Sequence, residues 1–390
     1  MTRPLLIIFL TIFVNLVGFG IIIPLLPFYA RTFGASPIMI GLLFAIFSLC
    51  QLVAAPALGD LSDRYGRRPV LIFSLAGTVV SFVMMALAQS LLMLFLARIV
   101  DGLSGGNIST ARAYVADVTG PKDRARAYGL IGAAFGLGFI FGPALSGVLA
   151  KVSYKAPIWA AAGITAVAMA MASRWLPETI HRARAGTGNP FRFLVPLLGR
   201  PHVGRILTID FVYWFAFAIF QTTFALFAAR RFDFDAPKTG YVLSAFGVLG
   251  AIIQGGLIRP IVRALGDKPT FMLGMMFGAV GLVAAALSPS VLIFLAALVP
   301  LAIGIGLGHP TISSLISQVA REDEQGRVQG AASAVESLGR TVGPVWGNAS
   351  LQRFGEGTPY VSAGVFLVLT LVLTVGYQVV DSDAVRPQHE

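Results

Sequence analysis

Gly59-Asp60-Leu61-Ser62-Asp63-Arg64-Tyr65-Gly66-Arg67-Arg68-Pro69-Val70-Leu71 is a charged, glycine-bearing knot in a chain that is 56% hydrophobic and only 12% charged. Long apolar runs flank it on both sides. Charges inside hydrocarbon are costly and need partners, so such a knot reads as a tight loop between two membrane helices. Gly66 permits a sharp reversal. Arg64, Arg67 and Arg68 suit the membrane–water interface. Asp63 can cap, or face, the positive end of a neighbouring helix.

The rest of the chain agrees. Mean hydropathy is +0.80 over 390 residues. A spanning helix needs about 20 apolar residues, which leaves room for roughly twelve spans with short connections. Apolar runs separated by turn or charge signals place them near 4–29, 38–58, 70–88, 91–118, 126–150, 156–175, 205–229, 238–258, 270–287, 291–318, 327–352 and 359–380. The 43 glycines and 22 prolines would break a soluble helical protein. Membrane helices tolerate them, because small residues allow close approach and neighbours satisfy freed backbone groups.

A net charge of +11 raises the question of nucleic acid, but the distribution argues against it. Basic residues concentrate in alternate loops: Arg64, Arg67, Arg68, Lys122, Arg124, Arg182, Arg184, Arg192, Arg200, Arg263, Lys268 and Arg321 fall on one side. The other side holds Arg31, Lys151, Lys155, Arg230, Arg231, Lys238 and Arg353. The positive-inside rule then places both termini in the cytoplasm of a multi-pass protein of the cell (inner) membrane. Cys50 is the single cysteine, so no intrachain disulfide can form. The first apolar run lacks a small-x-small cleavage site near its end and reads as a permanent span.

The longest connection, 176–204, is rich in Pro, Gly and Arg. It divides the chain into an N-terminal bundle (1–175), a cytoplasmic linker (176–204) and a C-terminal bundle with a short tail (205–390). Within it, the run from Phe191 to Leu198 is too short to span and suits the membrane surface. The halves repeat. Arg126 to Gly129 precedes Gly142-Pro143 as Arg327 to Gly330 precedes Gly343-Pro344, with Gly142 and Gly343 201 residues apart. The expected fold is an all-α membrane protein of twelve helices in two pseudo-symmetric six-helix bundles, with a substrate site between repeats. Gly266-Asp267-Lys268-Pro269 mirrors Gly66 to Pro69, but Arg259 and Arg263 stand where the first copy has Gly59 and Asp63.

Several spans carry charge. Arg98 and Asp101 lie three apart in the fourth span, and Glu336 and Arg340 lie four apart in the eleventh, so each pair shares a helix face. Low dielectric favours a neutral carboxyl and a nearby arginine favours the carboxylate. A motion that separates the pair would let Asp101 or Glu336 take up a proton; otherwise each pair is a permanent structural bridge. Asp210 reads as a helix-start acid favoured by the dipole. Arg112 suits snorkelling to the headgroups, and His309 a packing role. Asn15, Gln51, Asn107, Gln221 and Gln254, with Tyr213, Trp214 and Phe217, could line a pocket with apolar walls and a few amides. Gly132, Gly136, Gly142 and Gly147 give the fifth span a small-residue packing face that Pro143 bends. No phosphate-binding GxxxxGK[ST] loop, nucleophile–base set or metal-ligand cluster is present, which disfavours an ATP-driven pump or an enzyme.

The Gly59–Leu71 pattern, GxLxDxxGRRxxL, resembles the signature loop of the major facilitator superfamily of secondary transporters. Gly18 to Pro27, Ser48 to Gln51, Ala113 to Asp117 and Phe135 to Gly138 carry the likeness further, to the tetracycline-exporter-like branch of drug:proton antiporters. The resemblance implies alternating access and proton-coupled efflux of amphipathic small molecules by a functional monomer in the lipid bilayer. It implies no cofactor, and a proton gradient as the energy source. It implies that Gly59, Asp63, Arg64, Gly66, Arg67 and Arg68 gate, with Asp63 meeting the start of the eleventh span and the loop touching Asp117. The alternative role of the loop is orientation only. Arg98 and Gly102 resemble the conserved-arginine motif linked to proton coupling, and the fifth-span glycines resemble the antiporter motif. Asn15 departs from the branch, which carries an aspartate there, and Glu336 and Arg340 depart too. Alternatives are a transporter of a sugar, metabolite or lipid, or a transporter-like sensor or scaffold without flux.

Overall fold

The computed structural model describes residues 3–105, 107–119, 124–179, 191–321 and 324–377, and these are helical with no β-strand among them. The expected residues Lys122, Arg182 and Arg184 lie outside this set, as do the side chains of Asn107, Arg112, Arg124, Arg126 and Arg192. In chain order the helices are α1 (Arg3–Arg31), α2 (Pro37–Tyr65), α3 (Arg67–Ala86), α4 (Leu91–Ser104), α5 (Asn107–Val118), α6 (Arg124–Leu149), α7 (Lys155–Trp175) and α8 (Phe191–Leu198). They continue as α9 (Pro201–Phe232), α10 (Ala236–Ile252), α11 (Ile258–Leu265), α12 (Asp267–Leu287), α13 (Val291–Val319), α14 (Gln325–Arg353) and α15 (Thr358–Val375).

Ten helical segments among the described residues are long and apolar enough to cross a membrane. Two expected spans are not among these ten. The fourth is divided into α4 and α5 around Gly105. The eleventh, α14, is 29 residues long but carries Arg327, Glu336, Arg340 and Arg353, which lower its hydropathy. The eighth runs on to Leu265, and a π-helical turn at Ile253–Leu257 joins α10 to α11.

Local chemistry sets the ends. Ser36, Ser90 and Ser290 each accept a hydrogen bond from the backbone N–H three residues on, capping α2, α4 and α13. Ser90 and Ser290 are equivalents in the repeat. Gly66 and Gly266 sit at φ +108° and +85°, a region that side chains disfavour, so both corners require glycine.

By contacts the chain forms two compact units: Met1–Gly188 with Thr222–Val248, and Asn189–Gln221 with Leu249–Glu390. The first unit has a core of Ile8, Leu16, Leu71, Leu75, Tyr114, Ala172 and Leu176 from α1, α3, α5, α7 and the segment after it. Glycines bring α1 against α6. A Cβ at Gly142 would lie 2.7 Å from Gly20 Cα, and one at Gly138 would lie 2.5 Å from Leu16 Cβ. In the second unit α12 and α13 approach in the same way, where a Cβ on Gly304 would lie 2.6 Å from Gly278 Cα. Lipid tails are as apolar as leucine, so this close packing rather than hydrophobic exclusion holds such helices together.

Neighbouring helices hold the end of α4. Ser74 of α3 donates to Ser104 O, and Gln51 Nε2 of α2 donates to Gly105 O at 3.0 Å. Two carbonyls at the end of α4 therefore accept from neighbouring helices, as hydrocarbon surroundings favour.

Candidate functional site

The first candidate site is the corner at Gly66. Arg67 is buried and lies between two carboxylates: Asp63 Oδ1 at 2.5 Å, one turn back on α2, and Asp117 Oδ2 at 3.2 Å, at the end of α5. The loop-to-Asp117 contact that the resemblance implied is present. Arg67 also donates to Ser62 Oγ at 2.5 Å, and Ser62 donates on to Gly59 O at 2.8 Å. Arg68 donates to Ser173 O near the end of α7, while Arg64 is exposed.

The sequence reading missed Glu178. Its carboxylate accepts from the backbone N–H of Arg67 at 2.9 Å and of Arg68 at 3.1 Å, the first two donors of α3. Gly66 offers no capping side chain, so the negative group comes from 111 residues further along the chain. A Cβ at Gly66 would lie 2.5 Å from Glu178 Oε2, a second reason for glycine there. Thr179 donates to Asp117 Oδ2 at 3.3 Å, and Tyr114 donates to Pro177 O at 2.9 Å. One arginine and one glutamate thus tie α2, α3, α5 and the segment after α7 at a single point.

The mirrored corner at Gly266 keeps part of this arrangement with different chemistry. Lys268 Nζ donates to Val375 O at 3.1 Å and Tyr377 O at 2.5 Å, ending α15 as Arg68 ends α7. Asp267 stands in the place of Arg67, and its carboxylate accepts from Ser314 Oγ at 2.8 Å and Gln318 Nε2 at 2.5 Å on α13. Gln318 occupies the repeat position of Asp117. The bridge from the corner to the fourth or tenth span therefore exists in both units, with the acidic partner exchanged between them.

Within the spans, Arg98 Nη1 and Asp101 Oδ2 lie 2.9 Å apart and are buried. Arg98 Nε also donates to Leu43 O at 3.3 Å, and its guanidinium lies 4.1 Å from the Phe47 ring centroid. A Cβ on Gly102 would meet Phe47 O at 2.5 Å, so the glycine lets α2 come close beside the pair.

The second unit holds a different cluster. Asp210 is fully buried, and neither of its carboxylate oxygens meets a hydrogen-bond donor among the described residues. Glu336 and Arg340 of α14 lie near enough to act on it electrostatically. Arg340 stacks over the Trp214 ring at 5.2 Å, and His309 of α13 meets the same ring edge-on at 5.3 Å. The helix-start reading of Asp210 does not hold. Helix α9 begins at Pro201, more than two turns earlier, and the dipole acts only within the first turn.

The remaining expected residues divide. Tyr213 and Phe217 line a narrow space of about 280 Å³, counting its open side, together with Phe220, Gly274, Gly278 and Gly304. Trp214 and Gln221 are half-buried on α9, Asn15 half-buried on α1, and Gln254 exposed on the π-helical turn. Gln51 caps the helix break. The packing expectation for Gly132 and Gly136 is corrected: a Cβ at either would meet nothing within 4 Å among the described atoms. Close approach on α6 falls on Gly138, Gly142 and Gly147 instead, with Pro143 buried beside them. In the second unit Gly343 packs on α9, where a Cβ would lie 2.7 Å from Phe215 O, and Pro344 O accepts from Asn348 Nδ2 at 2.9 Å.

The family model of the Major Facilitator Superfamily matches residues 8–344 and 255–388. The chain belongs to the Major Facilitator Superfamily. It is 34% identical over 336 residues to the class G tetracycline resistance protein of Vibrio anguillarum, covering 84% of this chain and 85% of that one. It is 28% identical over 381 residues to multidrug resistance protein 2 of Bacillus subtilis (strain 168), covering 96% and 94%. Among solved structures, the human organic anion transporter MFSD10 (TETRAN) superposes with a TM-score of 0.76 at 23% identity, covering 95% of this chain and 99% of that one. This major facilitator fold, with its many helices able to span a membrane, makes the protein a multi-pass membrane transporter.

Proposed function

We propose that the protein is a secondary active transporter that works by alternating access and exports amphipathic small molecules in exchange for protons. One observation carries the reading: similarity along most of the chain to both a tetracycline resistance protein and a multidrug resistance protein. The buried charges support it, because ionisable groups within spans are expensive and mark pathways or relays. Asn15 narrows the cargo. An amide does not titrate and is a poor partner for a metal-chelated drug, so the reading favours amphipathic compounds over chelated tetracycline. The rest of the reading is a monomer in the cell membrane with both termini cytoplasmic, energised by the proton gradient, without cofactor and without enzymatic activity.

The test is flux in proteoliposomes across an imposed pH gradient, with a panel of amphipathic drugs. Drug entry should collapse the gradient, and dissipating the gradient should abolish uphill transport. Flux that ignores the gradient would replace this reading with a facilitative carrier. No flux of any amphipathic compound, a sugar or a lipid would favour a sensor or scaffold.

A further inference from the structure

Two buried carboxylates in this fold have opposite surroundings. Asp101 is complete. Arg98 faces it at 2.9 Å, and Arg98 is itself fixed by Leu43 O and the Phe47 ring. Separating that pair would leave an uncompensated guanidinium with no exposure to solvent. Asp210 is equally buried, yet both of its oxygens lack a hydrogen-bond donor among the described residues. An isolated carboxylate held away from water is strongly disfavoured, and the usual escape is to bind a proton.

The surroundings of Asp210 can be named element by element. Glu336 and Arg340 of α14 act on it electrostatically, and Tyr213 of α9 feels its charge. Around Tyr213 and Trp214 of α9 stand two further side chains: His309 of α13, edge-on to Trp214, and Phe271 of α12, against Tyr213. Phe366 of α15 packs on Phe215 of the same helix as Asp210. A metal ion fits poorly, because no group of three His, Cys, Asp or Glu among the described residues could hold one. An organic cation would need room beside a side chain that has none. Glu336 and Arg340 are only half-buried, so they stand at the accessible end of the cluster and Asp210 at its closed end.

We propose that Asp210 is the proton-binding group of this transporter, exchanging its proton through Glu336. In the step the O–H bond of Asp210 breaks and one forms on a Glu336 oxygen. The negative charge moves the other way, and Arg340, which acts electrostatically on Asp210, lies one turn along α14 from Glu336. No redox partner is needed. Asp101 then remains a structural pair of the first unit. The inference deepens the proton-exchange reading above and rests on it for the word coupling, but not for the bound proton.

Two measurements test it. Infrared spectroscopy of the lipid-reconstituted protein at neutral pH should show a buried carboxylic-acid C=O band that disappears in Asp210→Asn and persists in Asp101→Asn. A band that survives Asp210→Asn, or is lost only in Asp101→Asn, overturns the assignment. In proteoliposomes, Asp210→Asn should lose proton-driven drug accumulation, and Asp210→Glu should restore it. Full coupling in Asp210→Asn overturns the proposal. A wild type that moves no protons with any drug defeats the antiport reading instead, and the infrared band then decides alone whether Asp210 holds a proton.

Discussion

Glu178→Ala isolates the contribution of a carboxylate that sequence proximity does not reveal. The side chain accepts from the N–H groups of Arg67 at 2.9 Å and Arg68 at 3.1 Å, and α3 has no side-chain cap of its own. Losing an N-cap acceptor costs roughly 0.5–2 kcal/mol. Removing a negative charge from a helix N-terminus costs about 0.3–1 kcal/mol more. Arg67 is buried, which makes water a poor substitute, so the combined effect on the first turn is about 2 kcal/mol. At 1.4 kcal/mol per decade this is about a thirtyfold shift in local opening. Hydrogen–deuterium exchange of the reconstituted protein, read on the peptide containing residues 66–70, should accelerate by that factor. Glu178→Gln keeps an acceptor but loses the charge, so it should fall between wild type and Glu178→Ala. The start of α12 has no side-chain cap among the described residues, since its own Asp267 bonds Ser314 and Gln318 instead, and serves as the internal control. Acceleration below about threefold, under roughly 0.7 kcal/mol, would refute the reasoning. Equal acceleration at α12 would refute it too, because the effect would then be global.

Other consequences follow from the same geometry. Gly138→Ala forces a Cβ to 2.5 Å from Leu16 Cβ and should destabilise by about 1–3 kcal/mol, whereas Gly132→Ala meets nothing and should stabilise by roughly 0.5–1 kcal/mol. Thermal unfolding in detergent should show shifts of opposite sign, and a shared sign would show that α6 does not pack as described. Asp267→Arg and Gln318→Asp should each impair transport alone, and the double variant, which recreates the Arg67–Asp117 chemistry, should recover; a double variant worse than either single would deny the equivalence of the two bridges. The hydrogen bonds from Arg200 hold the Glu324 carboxyl below its ordinary value. Their contribution is therefore fully present above the ordinary carboxylate range and is lost as pH falls through the lowered value. Arg200→Ala should move the Glu324 titration upward in carboxyl-carbon NMR; an unmoved titration would mean that the pair does not persist.

Much of this was legible in the chain, for identifiable reasons. Spans are visible because each needs a long apolar run, and the Gly66 corner because charge inside such a chain has few places to go. The Arg67–Asp117 contact came from family resemblance, and spacing alone could not supply it. Glu178 was hidden because a cap can be donated from any distance along the sequence. The surroundings of Asp210 depend on where α9 begins, and Pro201, a favoured first-turn residue, is the signal that marks that start. The glycine run of α6 announces close packing without saying which face meets a neighbour. Gly138, not Gly132, faces α1, and only the packed structure separates them. The break at Gly105 left a trace in the paired Gly105-Gly106, whereas Gln51 as its cap left none.

The two corners also bear on how each unit can deform. At the first, Arg67 and Glu178 join four elements, and Asp63 is part of the joint, so the end of α2 cannot move without breaking a buried ion pair. At the second, Asp267 and Lys268 join α12 to α13 and to the end of α15, but among the described residues nothing equivalent to Asp63 reaches back along the chain. Arg259 and Arg263 are exposed and make no hydrogen bond or ion pair with described residues, and α11 has no buried residue. Just ahead of α11 lies the π-helical turn with Gln254, Gly255 and Gly256 exposed, where a Cβ on either glycine would meet nothing within 4 Å. A helix that is untied at its end, and irregular and glycine-bearing just before it, bends at lower cost than one held by a buried arginine. The substitution of arginine for aspartate at position 263 therefore has a mechanical consequence. It removes the tie that would have made the eighth span as stiff at its end as the second.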